Sequence, residues 1–216
     1  MPAQLKALNE GKSPGKRSGA KQERSRERRR VLTEVVSQLI KERGFGAMSV
    51  NEVAERASLS VGGLYRHIGT KSDLLELVCD EINLGLLEDM KEAAAAERGA
   101  AAKLEAAIRV YWLRHWDSSA AILVTYREYP SFSAEAKTRY REEEKRLAEF
   151  LADIIRAGTI SEEFREADDR LLAYEIVLLS HMRALKGYTY EGREQGTVLA
   201  EFLELIFSRL RPTSAP

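Results

Sequence analysis

The sequence predicts an all-α protein, a small helical head joined to a larger helical body, and three observations carry that reading. Apolar residues recur at three- and four-residue spacing from Ser25 to Arg211, with no convincing strand alternation or hairpin turn between them. Helix punctuation recurs with them, as Ser, Thr or Asp before an apolar run and Gly or Pro after it. Beyond residue 84, proline returns only at Pro130 and near the C-terminus. A chain of 216 residues can bury a substantial core in one or two domains.

Charge divides the chain where the two parts meet. Lys and Arg balance Asp and Glu at 34 each, but residues 1–80 hold 15 basic against 10 acidic side chains and the remainder holds 19 against 24. A basic head on an acidic body suits a polyanion-binding unit attached to one that is not. No apolar run reaches the eighteen or so residues of a membrane span, and the polar, basic N-terminus has no signal-peptide core. The single cysteine, Cys79, shares an apolar helix face with Leu75 and Val78, so no internal disulfide forms and a buried thiol is expected. The cytoplasm follows as the expected compartment.

In chain order, residues 1–24 are rich in Lys, Arg, Gly, Ser and Pro and read as a disordered basic arm. Such an arm either follows a nucleic-acid backbone or its minor groove, or is a solvated tail. From Ser25 a helix carries Val31, Leu32, Val35, Val36, Leu39 and Ile40, with Gly44 as a left-handed cap and Phe45 folding back over the last turn. Ser49 and Glu52 have capping-box spacing, and Val50, Val53, Ala54 and Ala57 share the face of the short helix that follows. After a brief break at Leu59, Ser60 caps a second short helix bearing Val61, Leu64, Tyr65 and Ile68. Two short helices so joined have the spacing of a helix-turn-helix, whose second helix enters the major groove. Adjacent Gly62 and Gly63 cost about 1 kcal/mol each relative to alanine, a penalty that close approach to DNA would justify. On spacing alone, a small helical hairpin with Tyr65 half buried stands beside that reading. Thr70 and Asp73 form a further capping box, and Leu74, Leu75, Val78 and Ile82 carry the fourth helix out of a head covering residues 25–83.

The segment from Arg30 to Ile82 resembles the DNA-binding domain of the TetR family of bacterial one-component regulators. The resemblance rests on Gly44-Phe45, on Ser49-Val50 with Val53-Ala54, on the run from Ser60 to His67, and on Lys71-Ser72-Asp73-Leu74-Leu75. It covers about a quarter of the chain, and several linked spacings agree. Ile68 stands where the family usually has Phe, and Gly63 where it often has Thr, Ala or Ser, which puts side-chain readout there in question. The resemblance implies a homodimer reading an inverted-repeat operator in double-stranded DNA. Tyr65, His67 and Lys71 would sit on phosphates with Ser49 assisting, Ser60 would cap the recognition helix, and Val61, Gly62, Gly63 and Arg66 would form its base-facing edge.

The body, residues 84–211, breaks at Gly99 and resumes with Leu104, Ile108, Tyr111, Trp112 and His115 or Trp116 on one stripe. Asp117 or Ser118 caps a short helix, Ala120–Tyr129, stopped by Pro130. Ser133 caps a long helix that turns Tyr140, Leu147, Phe150, Leu151, Ile154 and Ile155 inward and ends at Gly158. Asp168–Lys186 and Gly192–Arg211 make the last two helices, before a tail at 212–216. Both carry more apolar surface than one face can bury, which predicts a four-helix dimer interface.

Aromatic and polar residues cluster at Tyr111, Trp112, His115, Trp116, Tyr126, Arg127, Tyr129 and Phe132, with Met182 nearby in the next helix. Aromatics with a few polar tips suit a small-molecule pocket between helices, although aromatics at helical spacing equally make ordinary core. The stretch from Leu123 to Gly158 loosely resembles the sensor halves of TetR-type regulators that respond to fatty acids or acyl-CoAs. That implies an apolar effector, with an aromatic or planar cationic compound as the rival. Enzyme chemistry finds no support: His67, His115 and His181 are far apart in sequence, without zinc spacing to one another or to Cys79. Gly62-Gly63 lacks the context of a phosphate loop, and the pairs Glu162-Glu163 and Asp168-Asp169 sit at helix starts. No cofactor, metal or membrane is expected. The sequence therefore predicts a dimeric, effector-responsive transcriptional regulator, a repressor in the first instance. An all-α sensor or scaffold whose head binds protein is the alternative.

Overall fold

The computed structural model describes residues 14–66 and 68–212, with side chains from Glu27 onward. The helices run α1 Pro14–Ala47, α2 Val50–Arg56, α3 Val61–Leu64, α4 Lys71–Asn83, α5 Leu86–Ala95, α6 Ala100–Asp117, α7 Ser119–Glu128, α8 Ala134–Ile160, α9 Asp169–Ser180, α10 Met182–Lys186 and α11 Gln195–Leu210. Single 3-10 turns at Tyr129–Ser131 and Gly187–Tyr190 follow α7 and α10. No strand occurs among the described residues, so the fold is all-α.

Most helix starts follow from local chemistry. Ser60, Ser133 and Asp168 each accept a hydrogen bond from the amide three residues on. Thr70 and Asp73 complete both halves of their capping box. At α2 only half of the expected box forms: Ser49 Oγ accepts from the Glu52 amide at 3.1 Å, but the Glu52 carboxylate turns to Arg43 and Arg56. Two guanidinium partners offer that carboxylate more than one backbone amide does. Gly44 adopts φ 75°, ψ 157°, not the expected left-handed helical cap. Only glycine takes that conformation comfortably, and it kinks the chain so that Phe45 turns into the core.

Two further boundaries differ from expectation. The first helix begins at Pro14, so residues 14–24 have helical backbone where a disordered arm was expected; residues 1–13 lie outside the described residues. Despite Gly15 and Gly19, this stretch lengthens an existing helix and needs no nucleus of its own, and its Lys, Arg, Gln, Glu and Ala residues favour the extension. The predicted helix Asp168–Lys186 is broken at His181, whose side chain is held by two tyrosines from neighbouring helices.

Two apolar clusters hold the fold. One centres on Leu39, Val53, Leu64, Leu74, Leu75 and Val78 of the head and continues into Ala121 and Val124 of α7, then Phe132 and Ala136 beside α8. The other joins α5, α6, α8, α9 and α11 through Met90, Leu104, Ile108, Leu151, Ile176 and Ile206. α8 ends against α6 at Gly158, where a Cβ would lie 2.2 Å from the Phe164 ring. Glu163 caps α6 across that contact, accepting from the Ala100 amide at 2.8 Å. Most apolar surface of the last two helices is buried within the chain, yet Leu171, Tyr174 and Leu178 of α9 and Leu205 of α11 stay exposed.

Candidate nucleic-acid interface and effector cavity

The head is built to present α3. After α2 the chain closes a Schellman turn: the Leu59 amide donates to Ala54 O at 2.8 Å and the Ser58 amide to Glu55 O at 3.0 Å, with Ser58 at φ 55°. The turn sets α3 against α2, and Ser60 Oγ secures its first turn by accepting from the Gly63 amide at 3.0 Å. Val61, Gly62, Tyr65 and Arg66 face outward, as do Ser49 and Ser60, with both hydroxyls spent on caps. A Cβ at Gly62 would meet nothing within 4 Å. Gly63, expected beside it on the outer edge, is buried, and a Cβ there would lie 2.9 Å from Ser60 Oγ. Successive helical residues point about 100° apart, so two neighbouring glycines cannot both bare one edge. The helix is also shorter than expected, ending at Leu64 in place of Ile68. His67 lies outside the described residues. Lys71 Nζ donates to Gly46 O at 3.0 Å and sits 4.7 Å above the Phe45 ring, at the head's outer rim.

Helix α4 leaves this head and becomes a wall of the body. Glu76 accepts from the Ser133 amide at the start of α8 at 3.0 Å, and Ser72 pairs with Ser131 at 3.2 Å. Cys79 is buried, its Sγ 2.9 Å from Thr125 Oγ1 of α7, and burial pushes its thiol up to about 12. At neutral pH it is an uncharged core group.

Beyond Cys79 lies a small cavity walled by α4, α6, α7, α8 and the α9–α10 break. It is narrow, with room at its centre for little more than a water-sized sphere. His181 joins two walls, its Nε2 3.1 Å from Tyr111 Oη and its Nδ1 2.9 Å from Tyr126 Oη. The His115 ring lies 4.0 Å from the Tyr111 ring and 4.6 Å from the His181 ring. Burial, reinforced for His115 by His181, holds the two imidazoles down at about 3 and about 4 respectively. Burial raises the Tyr140 phenol and the Glu144 carboxyl, which share the cavity with Asn83. The histidines that read as far apart in sequence are therefore in contact in the fold. No metal-binding cluster occurs among the described residues. A larger, more open groove adjoins along Cys79, Asn83 and Tyr140, lined also by Phe132, Arg139 and Arg146.

The sequence-derived effector residues separate accordingly. Tyr111 and His115 line the cavity, Tyr126 braces it through His181, and Phe132 lines the outer groove. Trp112 and Trp116 do not: about 100° further round α6, they stack at 4.5 Å in the core, with Arg183 4.3 Å over Trp116. Arg127 points to solvent, Tyr129 packs on Tyr140 outside the inner cavity, and Met182 is half-buried away from it. Sequence reasoning missed Cys79, Asn83, Ile122, Thr125, Glu144 and His181 as lining. Tyr140 and Leu147 were placed inward but as core. The available signal was the i, i+4 pair of Tyr140 and Glu144 on the inward stripe of α8, a polar interruption where only apolar residues would be expected.

A helix-turn-helix head whose fourth helix forms one wall of a cavity in a helical body is the architecture of a transcriptional regulator. Residues 32–78 match the bacterial regulatory proteins of the tetR family, and residues 97–207, over half the chain, match the tetracyclin repressor-like C-terminal domain. The chain belongs to the TetR family. It is 26% identical over 185 residues to the transcriptional repressor KstR2 of Rhodococcus jostii, covering 83% of this chain and 89% of that one. Among solved structures it resembles AibR in complex with isovaleryl coenzyme A and operator DNA, with a TM-score of 0.68, 19% identity, and 86% and 100% of the two chains covered. It also resembles FadR from Bacillus subtilis in complex with stearoyl-CoA, with a TM-score of 0.68, 22% identity, and 82% and 97% covered. No described helix is long and apolar enough to cross a membrane.

Proposed function

We propose that this TetR-family regulator is a cytoplasmic homodimeric repressor that binds a palindromic operator and releases it when an acyl-CoA occupies the body. The observation that carries the reading is that α4 is at once the floor of the head and a wall of the cavity. A cavity too narrow for an acyl group must widen to admit one. α4 is the wall that can carry that displacement to the head, changing the spacing of the two recognition helices. By linkage, an effector that favours the displaced form weakens operator binding by the same factor that the operator weakens the effector. The exposed apolar residues of α9 and α11 supply the symmetric contact, which holds two α3 helices about 34–36 Å apart. Acyl-CoA as the effector class draws support from AibR and FadR, and repression from KstR2.

On DNA, Val61, Gly62 and Arg66 form the base-facing edge, while Tyr65, His67 and Lys71 hold phosphates with Ser49 and Ser60 at the helix starts. Gel shifts with duplexes from the adjacent intergenic region, with and without acyl-CoAs, test the whole reading. Retarded bands that acyl-CoA dissolves are expected; indifference to every duplex would return the protein-binding alternative. If the dimer neutralises about eight phosphates, log affinity falls with log salt at a slope of about −7. A flat response would remove the electrostatic footprint. Lys71→Ala should weaken all sequences alike, and Gly62→Ser should change the order of preference among them.

A further inference from the structure

The inner cavity is more polar than a saturated acyl chain requires. His115 is buried at 4% exposure, and its Nδ1 lies 2.8 Å from the Tyr111 carbonyl oxygen. A carbonyl only accepts, so Nδ1 carries the proton and neutral His115 presents a bare lone pair on Nε2. Among the described residues nothing donates to that lone pair, and no fully enclosed side-chain nitrogen or oxygen lacks a partner, so Nε2 opens onto the cavity it lines. His181 adds to the count. Its neutral ring donates through one nitrogen and accepts through the other, so of Tyr111 and Tyr126 one phenol accepts and keeps its own O–H unspent. The carboxyl of Glu144, the phenol of Tyr140 and the amide of Asn83 line the same space without a protein partner among the described residues.

From this arrangement we infer that the acyl portion of the effector carries a hydroxyl, donated to His115 Nε2 or to Glu144 and accepting from a tyrosine phenol. His115 and Glu144 are then the residues that select the effector. The inference rests on the acyl-CoA reading above and narrows it. The free partners other than Glu144 are neutral at pH 7, with both imidazoles held well below their ordinary range. They suit a neutral group that both gives and takes a hydrogen bond better than they suit a cation. A chain ending in methyl would leave those groups dry and unpaired, which is how a polar pocket rejects an analogue lacking the hydroxyl.

Calorimetric titration of the full chain with two matched pairs tests this. The pairs are hexanoyl-CoA with 6-hydroxyhexanoyl-CoA, and 3-phenylpropanoyl-CoA with its 4-hydroxyphenyl counterpart. In at least one pair the hydroxylated member should bind about a hundredfold tighter. That preference should shrink to within about threefold in His115→Phe, which keeps a ring in the stack, and fall in Glu144→Gln. If His115→Phe fails to fold, Glu144→Gln at its part-exposed site carries the test. Equal binding within both pairs, or a preference unchanged by the variants, overturns the inference and leaves the acyl-CoA reading standing. Binding by none of the four thioesters overturns that reading, and the inference with it.

Discussion

Two faces of α6, one residue apart in sequence, have opposite characters. Trp112 and Trp116 stack on each other inside a dry cluster, with Tyr190 edge-on at 5.5 Å and a guanidinium capping the outer ring. Tyr111 and His115 also stack, but over a cavity that keeps polar atoms unspent. Both pairs are i, i+4 aromatics on one helix, and both are buried. One pair contributes area and shape to stability, and the other holds hydrogen-bonding capacity in reserve. Burial alone therefore does not distinguish core from site; what does is whether each polar atom is already used.

The comparison breaks most visibly under truncation. Trp116→Ala should cost about 3–5 kcal/mol in urea unfolding at fixed protein concentration. His115→Phe, which replaces one ring by another and removes an unpaired lone pair, should change stability by less than about 1 kcal/mol. Equal losses at the two positions would mean that both faces are simply core.

Acid probes the polar face alone. Both histidines titrate lower in the folded protein, at about 3 and about 4, than in the unfolded chain, whose ordinary value is 6.5. Between about pH 4 and 6.5 the unfolded chain therefore binds two protons that the fold refuses, and stability rises with pH by about 1.4 kcal/mol per unit for each. Lowering the pH from 7 to 5 should remove about 4 kcal/mol, and His115→Phe should remove about half of that dependence. Glu144 acts in the opposite sense: burial raises its carboxyl, so its contribution to stability grows as the pH falls toward its ordinary value and is complete below it. A stability curve flat from pH 7 to 5 would show the imidazoles open to water. Tyr126→Phe, which deletes one hydrogen bond to His181, should cost about 1 kcal/mol by the same unfolding assay.

These two faces also show where the sequence was readable and where it was not. The head was legible because its signals are local: Ser60, Thr70 and Asp73 cap helices within three residues of themselves, and the structure puts each cap where spacing predicts it. Gly63 was misplaced because facing along so short a helix is decided by about 100° per residue, which a pair of identical residues does not encode. The cavity was half legible. Tyr111 and His115 stood out by composition, but so did the tryptophans, and only the packing of α6 separates them. Asn83, Thr125, Glu144 and His181 come from four other parts of the chain and carry no shared motif, so nothing short of the tertiary fold assembles them.

The head's apolar cluster does not stop where the fourth helix ends. Ala121, Val124, Phe132 and Ala136 belong to it, and Glu76 secures the first turn of α8. A chimaera spliced after Asn83, joining this reading head to a foreign sensor, would expose a hydrophobic seam and leave a carboxylate without its amide. Grafts that also transplant α7 and the first turn of α8 should fold and keep their regulation. Recombination between relatives is thereby restricted to exchanges that move reader and sensor floor together.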